Sequence, residues 1–137
     1  MENTPQKITN QMLGNDAFSK WLGIEVLEIS EGSCELQLTV RQEMTNGFDI
    51  AHGGITYSLA DSALAFASNS HGRKSVSVET SISHTKPSIV GDILTAKAVE
   101  KSLSNKIAIY EITIANQNNI IVALFKGTVY RTSKEWF

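Results

Sequence analysis

The sequence predicts an α+β protein: one long buried helix near the middle of the chain, wrapped by a curved antiparallel sheet. Three observations carry this reading. After Gly54, residues Ile55, Tyr57, Leu59, Ala60, Ala63, Leu64, Ala65, Phe66 and Ala67 make a helix apolar around most of its girth. Such a helix belongs inside other structure rather than on a surface. Between Ser33 and Arg41, the residues Cys34, Leu36, Leu38 and Val40 alternate with Glu35, Gln37 and Thr39, the period of two that marks a half-buried strand. Behind the helix, four strand-like stretches are punctuated by Pro87 and Gly91, by Ser104-Asn105 and by Asn116–Asn119. These read as short turns of the kind that join antiparallel neighbours.

In chain order, an amino-terminal helical segment is expected from about Gln6 to Leu22, with Gly14 as a break or bend and Gly23 as its end. Strands follow at about Ile24–Ser30 and Ser33–Arg41, joined across Glu31-Gly32, and a loop then runs from Gln42 to Ala51. The central helix spans about Gly54–Ser70 and is closed by Asn69-Ser70-His71-Gly72. The remaining strands are expected at Lys74–Thr85, Asp92–Ser102, Lys106–Ala115 and Asn119–Arg131. One buried helix followed by a run of antiparallel strands is an α+β arrangement.

The length of 137 residues fits one domain covering the whole chain. A net charge of -2 argues against a broad basic face for nucleic acid. Cys34 is the only cysteine, which rules out an intrachain disulfide or a cysteine metal cluster and fits a reducing compartment. The stretch Met1 to Gln11 is polar and lacks the apolar core of a signal peptide. The longest apolar run, Ile120 to Phe125, is too short to cross a bilayer. A soluble cytoplasmic protein is expected, with neither nucleic acid nor membrane as partner.

The segment Asn46-Gly47-Phe48-Asp49-Ile50-Ala51-His52-Gly53-Gly54, followed by Asp61, holds more residue identity than folding needs. Two glycines at a helix start are costly in chain entropy. They become sensible where something must approach the backbone closely. A helix start also offers unpaired N–H groups and a partial positive charge, which can hold the oxyanion formed when a carbonyl is attacked. Asp61 follows Gly54 by seven residues, on a similar face but roughly 10 Å further along the axis. One aspartate side chain does not bridge that gap, so a site using both groups draws Asp61 from a second chain.

Read as N-G-x4-H-G-G-x6-D, the stretch Asn46–Asp61 resembles the signature of the PaaI-type thioesterases of the hotdog superfamily. The resemblance extends from Asn15-Asp16-Ala17 and Trp21-Leu22-Gly23-Ile24, through Lys86-Pro87 and Gly91–Ala96, to Val122–Gly127. It implies the hotdog fold and hydrolysis of an acyl-CoA, by resemblance a phenylacetyl or hydroxyphenylacetyl thioester, with no metal or bound cofactor. It implies Asp61 as the catalytic carboxylate, acting as nucleophile or general base. Gly53, with Gly54 beside it, matches the backbone donor to the thioester oxygen. Asn46 and His52 match polar residues that position substrate, water or the loop. Ser77 stands where some relatives carry a serine that seats the attacking group. The family places these groups across a homodimer and commonly forms a homotetramer.

Each of these residues also has a plainer reading. Asp61 can be a solvated or lysine-paired charge, His52 a histidine bonded to backbone, Asn46 a turn residue, and the glycines a tight turn. The ordered motif tips Asp61 toward catalysis. Cys34 falls on the inward set of its strand and reads as core. Lys86, Arg73, Lys74 and Lys106 are candidates for coenzyme A phosphates, though each is ordinary as a surface charge. A serine-hydrolase elbow and metal-ligand spacings are missing from the sequence. Two rival readings on the same fold are a non-catalytic acyl-CoA-binding or regulatory module and an acyl-CoA hydratase or dehydratase.

Overall fold

Two short helices open the chain. The structure, a computed structural model, describes residues 3–137; Met1 and Glu2, the first residues of the polar amino-terminal stretch, lie outside them. Helix α1 (Thr4–Gly14) starts under Asn3, whose side-chain oxygen accepts the Gln6 N–H at 3.0 Å. Pro5 occupies its first turn, where a missing N–H leaves no gap in the helix ladder. Helix α2 (Ala17–Leu22) starts under Asp16, which accepts from the Ser19 N–H at 2.9 Å and the Ser19 hydroxyl at 2.6 Å. The helical segment expected from Gln6 to Leu22, with a break or bend at Gly14, is two helices that part after Gly14, because Asp16 caps a new start instead of continuing the old ladder. Gly23 closes α2 as expected.

Strands β1 (Glu25–Ser30) and β2 (Ser33–Thr39) form a hairpin. A loop with one 3-10 turn at Gln42–Met44 leads into α3 (Gly53–Asn69), and then come β3 (Arg73–His84), β4 (Ile93–Leu103), β5 (Ile107–Ala115) and β6 (Ile121–Glu135). The sheet order is β1-β2-β4-β5-β6-β3, antiparallel at every step.

This order corrects one expectation. Pro87 and Gly91 do not turn a hairpin between β3 and β4; β3 lies at the far edge beside β6, with His84 opposite Ala123. The chain from Thr85 to Asp92 instead crosses to β4, next to β2. It is pinned on the way: the Ala51 N–H donates to the Ser88 carbonyl at 2.7 Å, and Val40 exchanges backbone bonds with Gly91 and Asp92 at 2.9 Å. The crossover thus runs past the start of α3 and walls it in. Strand β6 also outruns its expected end at Arg131. Its extension is held by Trp136, which donates its backbone N–H to the Gly72 carbonyl at 2.9 Å and its indole N–H to Asn69 Oδ1 at 3.0 Å.

The concave face of the sheet carries Leu36, Leu38, Leu94, Tyr110, Ile112 and Ile114, all buried against Leu59, Ala60, Ala63, Leu64, Phe66 and Ala67 of α3. Cys34 is buried among them, as its place in the alternation predicts. The sheet presents Ala96, Ala98, Ala108 and Gly127 to the helix, small residues that let it sit close. At Gly127 even one added carbon would lie 2.5 Å from Leu64 Cδ2. Not all of α3 is covered. Gly54, Tyr57, Ser58, Asp61, Ser62 and Ala65, one stripe at helical spacing, are only half-buried. Beside that stripe runs the outer edge of β3, where Val76 and Val78 are 56% and 59% exposed. Among the described residues no helix is long and apolar enough to cross a membrane.

Candidate active site

The start of α3 is built by two histidines. His52 is its cap: Nδ1 accepts the Gly54 N–H at 2.8 Å. On the other side, the Thr56 hydroxyl reaches the Gly53 carbonyl at 3.0 Å and His84 Nε2 at 2.7 Å. The peptide between Gly53 and Gly54 is therefore held at both ends, its N–H by His52 and its C=O by Thr56. The close approach that the paired glycines imply is made by these two rings. A Cβ on Gly53 would meet His84 Cε1 at 3.2 Å, and one on Gly54 would meet His52 Nδ1 at 3.1 Å. The consequence for the site is selective. The Gly54 N–H is engaged, while the Gly53 N–H meets no acceptor among the described residues and stands free at the positive end of the helix.

Gly53 opens into a cavity of about 490 Å³, lined also by Asn46, Ile50, Ala51, Thr56, His84 and the crossover residues Thr85, Lys86, Pro87 and Ser88. Asn46 shapes the loop that forms one wall. Its side-chain oxygen accepts from the N–H groups of Phe48 at 2.9 Å and Ile50 at 3.4 Å, and its backbone N–H donates to the Ile50 carbonyl. Asn46 is thus a turn residue and a lining residue together. Lys86 is exposed at the rim of the same cavity.

Asp61 lies elsewhere, in a second cavity of about 270 Å³ with Met12, Leu64, Ser75, Val76 and Ser77 among its walls. It sits on the half-covered stripe, eight residues beyond Gly53 on a continuous helix, roughly 12 Å along the axis. Its carboxylate makes no hydrogen bond among the described residues. Burial raises its pKa above the ordinary 3.8, and the nearby charge of Asp16 pushes the same way. A half-buried carboxylate without a donor is costly to keep charged, and such costs concentrate where a base or nucleophile is needed.

One chain therefore brings Asn46, Gly53 and Lys86 to one mouth, with His52 and Gly54 bonded to each other at the helix start beside it, and Asp61 with Ser77 to another. Arg73, Lys74 and Lys106 join neither. Arg73 bonds Asn105 of the β4–β5 turn, Lys74 Nζ lies 4.9 Å from the centre of the Trp136 ring, and Lys106 stands in that same turn. Arg73 and His84 close opposite ends of β3, roughly 35 Å apart in an extended strand. Sequence reasoning missed His84 and Thr56. Nothing in their spacing ties them together, and only the far-edge placement of β3 puts residue 84 against the helix start.

The fold and the shape of the site have a known home. The chain belongs to the thioesterase superfamily, whose profile matches residues 48–123, and it is a thioester hydrolase of the hotdog fold. In sequence it is 40% identical to the Escherichia coli acyl-coenzyme A thioesterase PaaI over 88% of this chain and 86% of that one. In structure it matches the E. coli PaaI protein of the phenylacetic acid degradation operon with a TM-score of 0.94, covering 96% of both chains at 36% identity. A mutant form of the phenylacetic acid degradation protein PaaI from Thermus thermophilus matches with a TM-score of 0.83 at 37% identity, covering 85% of this chain and 100% of that one.

Proposed function

We propose that the protein hydrolyses an acyl-CoA thioester to the carboxylic acid and free coenzyme A, at sites shared between two copies of the chain. The Gly53 N–H holds the thioester oxygen. Asp61 of the partner subunit either takes a proton from the water that attacks the carbonyl carbon, or attacks that carbon itself and forms a mixed anhydride, which water hydrolyses after the thiolate has left to free the acid and restore the carboxylate. As charge builds on the oxygen, the fixed amide and the helix dipole stabilise it without having to reorganise. The thiolate then leaves and takes up a proton. Water is the only co-reactant and no cofactor takes part.

The observation that carries this reading is the complementary vacancy of the two cavities: a free amide without a carboxylate in one, an unpaired carboxylate without a donor in the other. Two chains packed through the half-covered stripe of α3 and the open edge of β3 would cover Val76 and Val78 and bring the vacancies together. Asn46 and His52 hold the loop and the helix start, and Ser77 lies beside the carboxylate it would help to seat. Lys86, at the mouth, meets a coenzyme A phosphate. Arg73, Lys74 and Lys106 reach such a phosphate only if the partner presents them. The name of the E. coli relative supports acyl-CoA as substrate, and the phenylacetic acid context of the neighbouring structures favours phenylacetyl-CoA or its hydroxylated form. We take the working protein to be cytoplasmic and a homotetramer of two such dimers.

Release of free thiol from a panel of acyl-CoAs tests the reading. Phenylacetyl-type thioesters are expected to head the panel. Binding of acyl-CoA with no thiol released from any of them would leave a binding module, and hydration of an enoyl-CoA would leave a hydratase.

A further inference from the structure

The Thr56 hydroxyl has one proton, and it goes to the Gly53 carbonyl at 3.0 Å. Its contact with His84 Nε2 at 2.7 Å is then made as an acceptor, so the ring carries its own proton on Nε2. Nδ1 is left with a lone pair and no partner among the described residues. His84 is exposed and lines the Gly53 cavity, with Nδ1 3.9 Å from the place a Gly53 Cβ would take. The mouth thus offers a donor, the Gly53 N–H, and an acceptor close beside it. That acceptor repels a thioester oxygen. It calls for a ligand N–H or O–H near the group that the Gly53 amide holds.

An acyl-CoA has one such donor close to its thioester. A phenylacetyl group carries none. On the other side of the sulfur the first is the amide N–H of the cysteamine unit, two methylenes away and roughly 4 Å from the sulfur in an extended arm. We propose that His84 is a positioning residue whose Nδ1 accepts this N–H, holding the pantetheine arm while the Gly53 amide holds the thioester oxygen. This rests on the acyl-CoA reading above and names a residue that reading does not use. Thr56 sets the direction of the contact, because its bond to Gly53 leaves the acceptor at Nδ1. Lys86, two residues on at the rim of the same cavity, continues the order along the wall: carbonyl, amide, phosphate.

The test pairs a change in the ring with a change in the ligand. In His84→Gln the side-chain amide takes the place of Nε2 and keeps a donor for Thr56, but leaves nothing at Nδ1. In His84→Asn the amide oxygen takes the place of Nδ1. With phenylacetyl-CoA, His84→Gln should raise KM ~3- to 10-fold, the scale of one net hydrogen bond, with kcat within about twofold of wild type. His84→Asn should recover part of that loss. A phenylacetyl-CoA in which methylene replaces the cysteamine nitrogen should cost wild type the same factor and cost His84→Gln nothing more. Wild-type KM in His84→Gln, or an equal penalty for the methylene analogue in both proteins, overturns the inference and makes the ring only a wall of the cavity. An unreactive thioether of coenzyme A, with and without the same methylene, gives the comparison by calorimetry in the absence of turnover. If the thioethers show this coupling to His84 yet no acyl-CoA releases thiol, the hydrolase reading falls and the contact stands.

Discussion

Replacing Gly127 with alanine puts one methyl group where α3 meets the sheet. That carbon would lie 2.5 Å from Leu64 Cδ2, 2.9 Å from Cδ1 and 3.2 Å from Cγ. Carbon atoms settle at ~3.5–4.0 Å, so Leu64 must withdraw by about 1 Å. It has little room, being 1% exposed and surrounded by buried neighbours. Overpacking of this kind costs ~1–3 kcal/mol. With an unfolding entropy of ~2.1 cal/mol/K per residue, the 137-residue chain loses ~3–10 °C in Tm. Urea unfolding at one protein concentration should show a lower midpoint with an unchanged slope. Leu64→Ala alone should cost ~2–5 kcal/mol through the cavity it leaves. In the double variant each change makes room for the other, so the loss should be smaller than the sum. A Gly127→Ala protein melting within about 1 °C of wild type, or strict additivity in the pair, would refute the packing argument.

Further predictions concern the titrating groups. Asp61→Asn should lower kcat at least ~10²-fold with the circular dichroism spectrum unchanged. The acid limb of kcat/KM should lie above the ordinary carboxylate range, because Asp61 must be ionised to act and its pKa is raised; a limb at the ordinary value would contradict this. The same shift has a stability sign. The native state binds the extra proton, so stability falls as pH rises from 3.8 through the raised value. Asp61→Asn should therefore melt higher than wild type at neutral pH and lose that advantage below the ordinary carboxylate range. An Asn variant that melts lower at neutral pH would mean the carboxylate is paired after all. Burial pushes the Cys34 thiol up to about 12, so an aromatic disulfide reagent should label it only after denaturation; fast labelling of native protein would contradict its place in the core.

Much of this could be read from the chain itself, for identifiable reasons. The alternation from Cys34 to Val40 and the all-round apolar helix are local patterns, and they survive into the structure as β2 and α3. Strand order is not local. The break after His84 looks like the other turns, yet β3 stands at the far edge of the sheet beside β6. The site divides in the same way. Asn46, His52, Gly53, Gly54 and Asp61 stand in one short motif, so their spacing gave away the helix start and the separation along the axis. Which amide is free depends on the direction of one His52 nitrogen, and the placing of His84 over the helix start depends on its contact with Thr56, 28 positions away. No spacing rule reports either. The lysines and arginines were the least legible, because charge alone does not say at which end of a strand a side chain is used.

Mixed oligomers test the shared site most directly. Asp61→Asn lacks the carboxylate. Gly53→Val drives a side chain into the His84 ring and spoils the amide half. Each variant alone should be nearly inactive. When the two chains are co-expressed in equal amounts, half of the dimers pair one of each. In every such dimer one site draws an intact Gly53 from one chain and an intact Asp61 from the other, so about a quarter of wild-type activity should return. Activity no higher than the average of the separate variants, in preparations shown by mass to contain the mixed dimer, would mean that each chain works with its own Asp61 or with none.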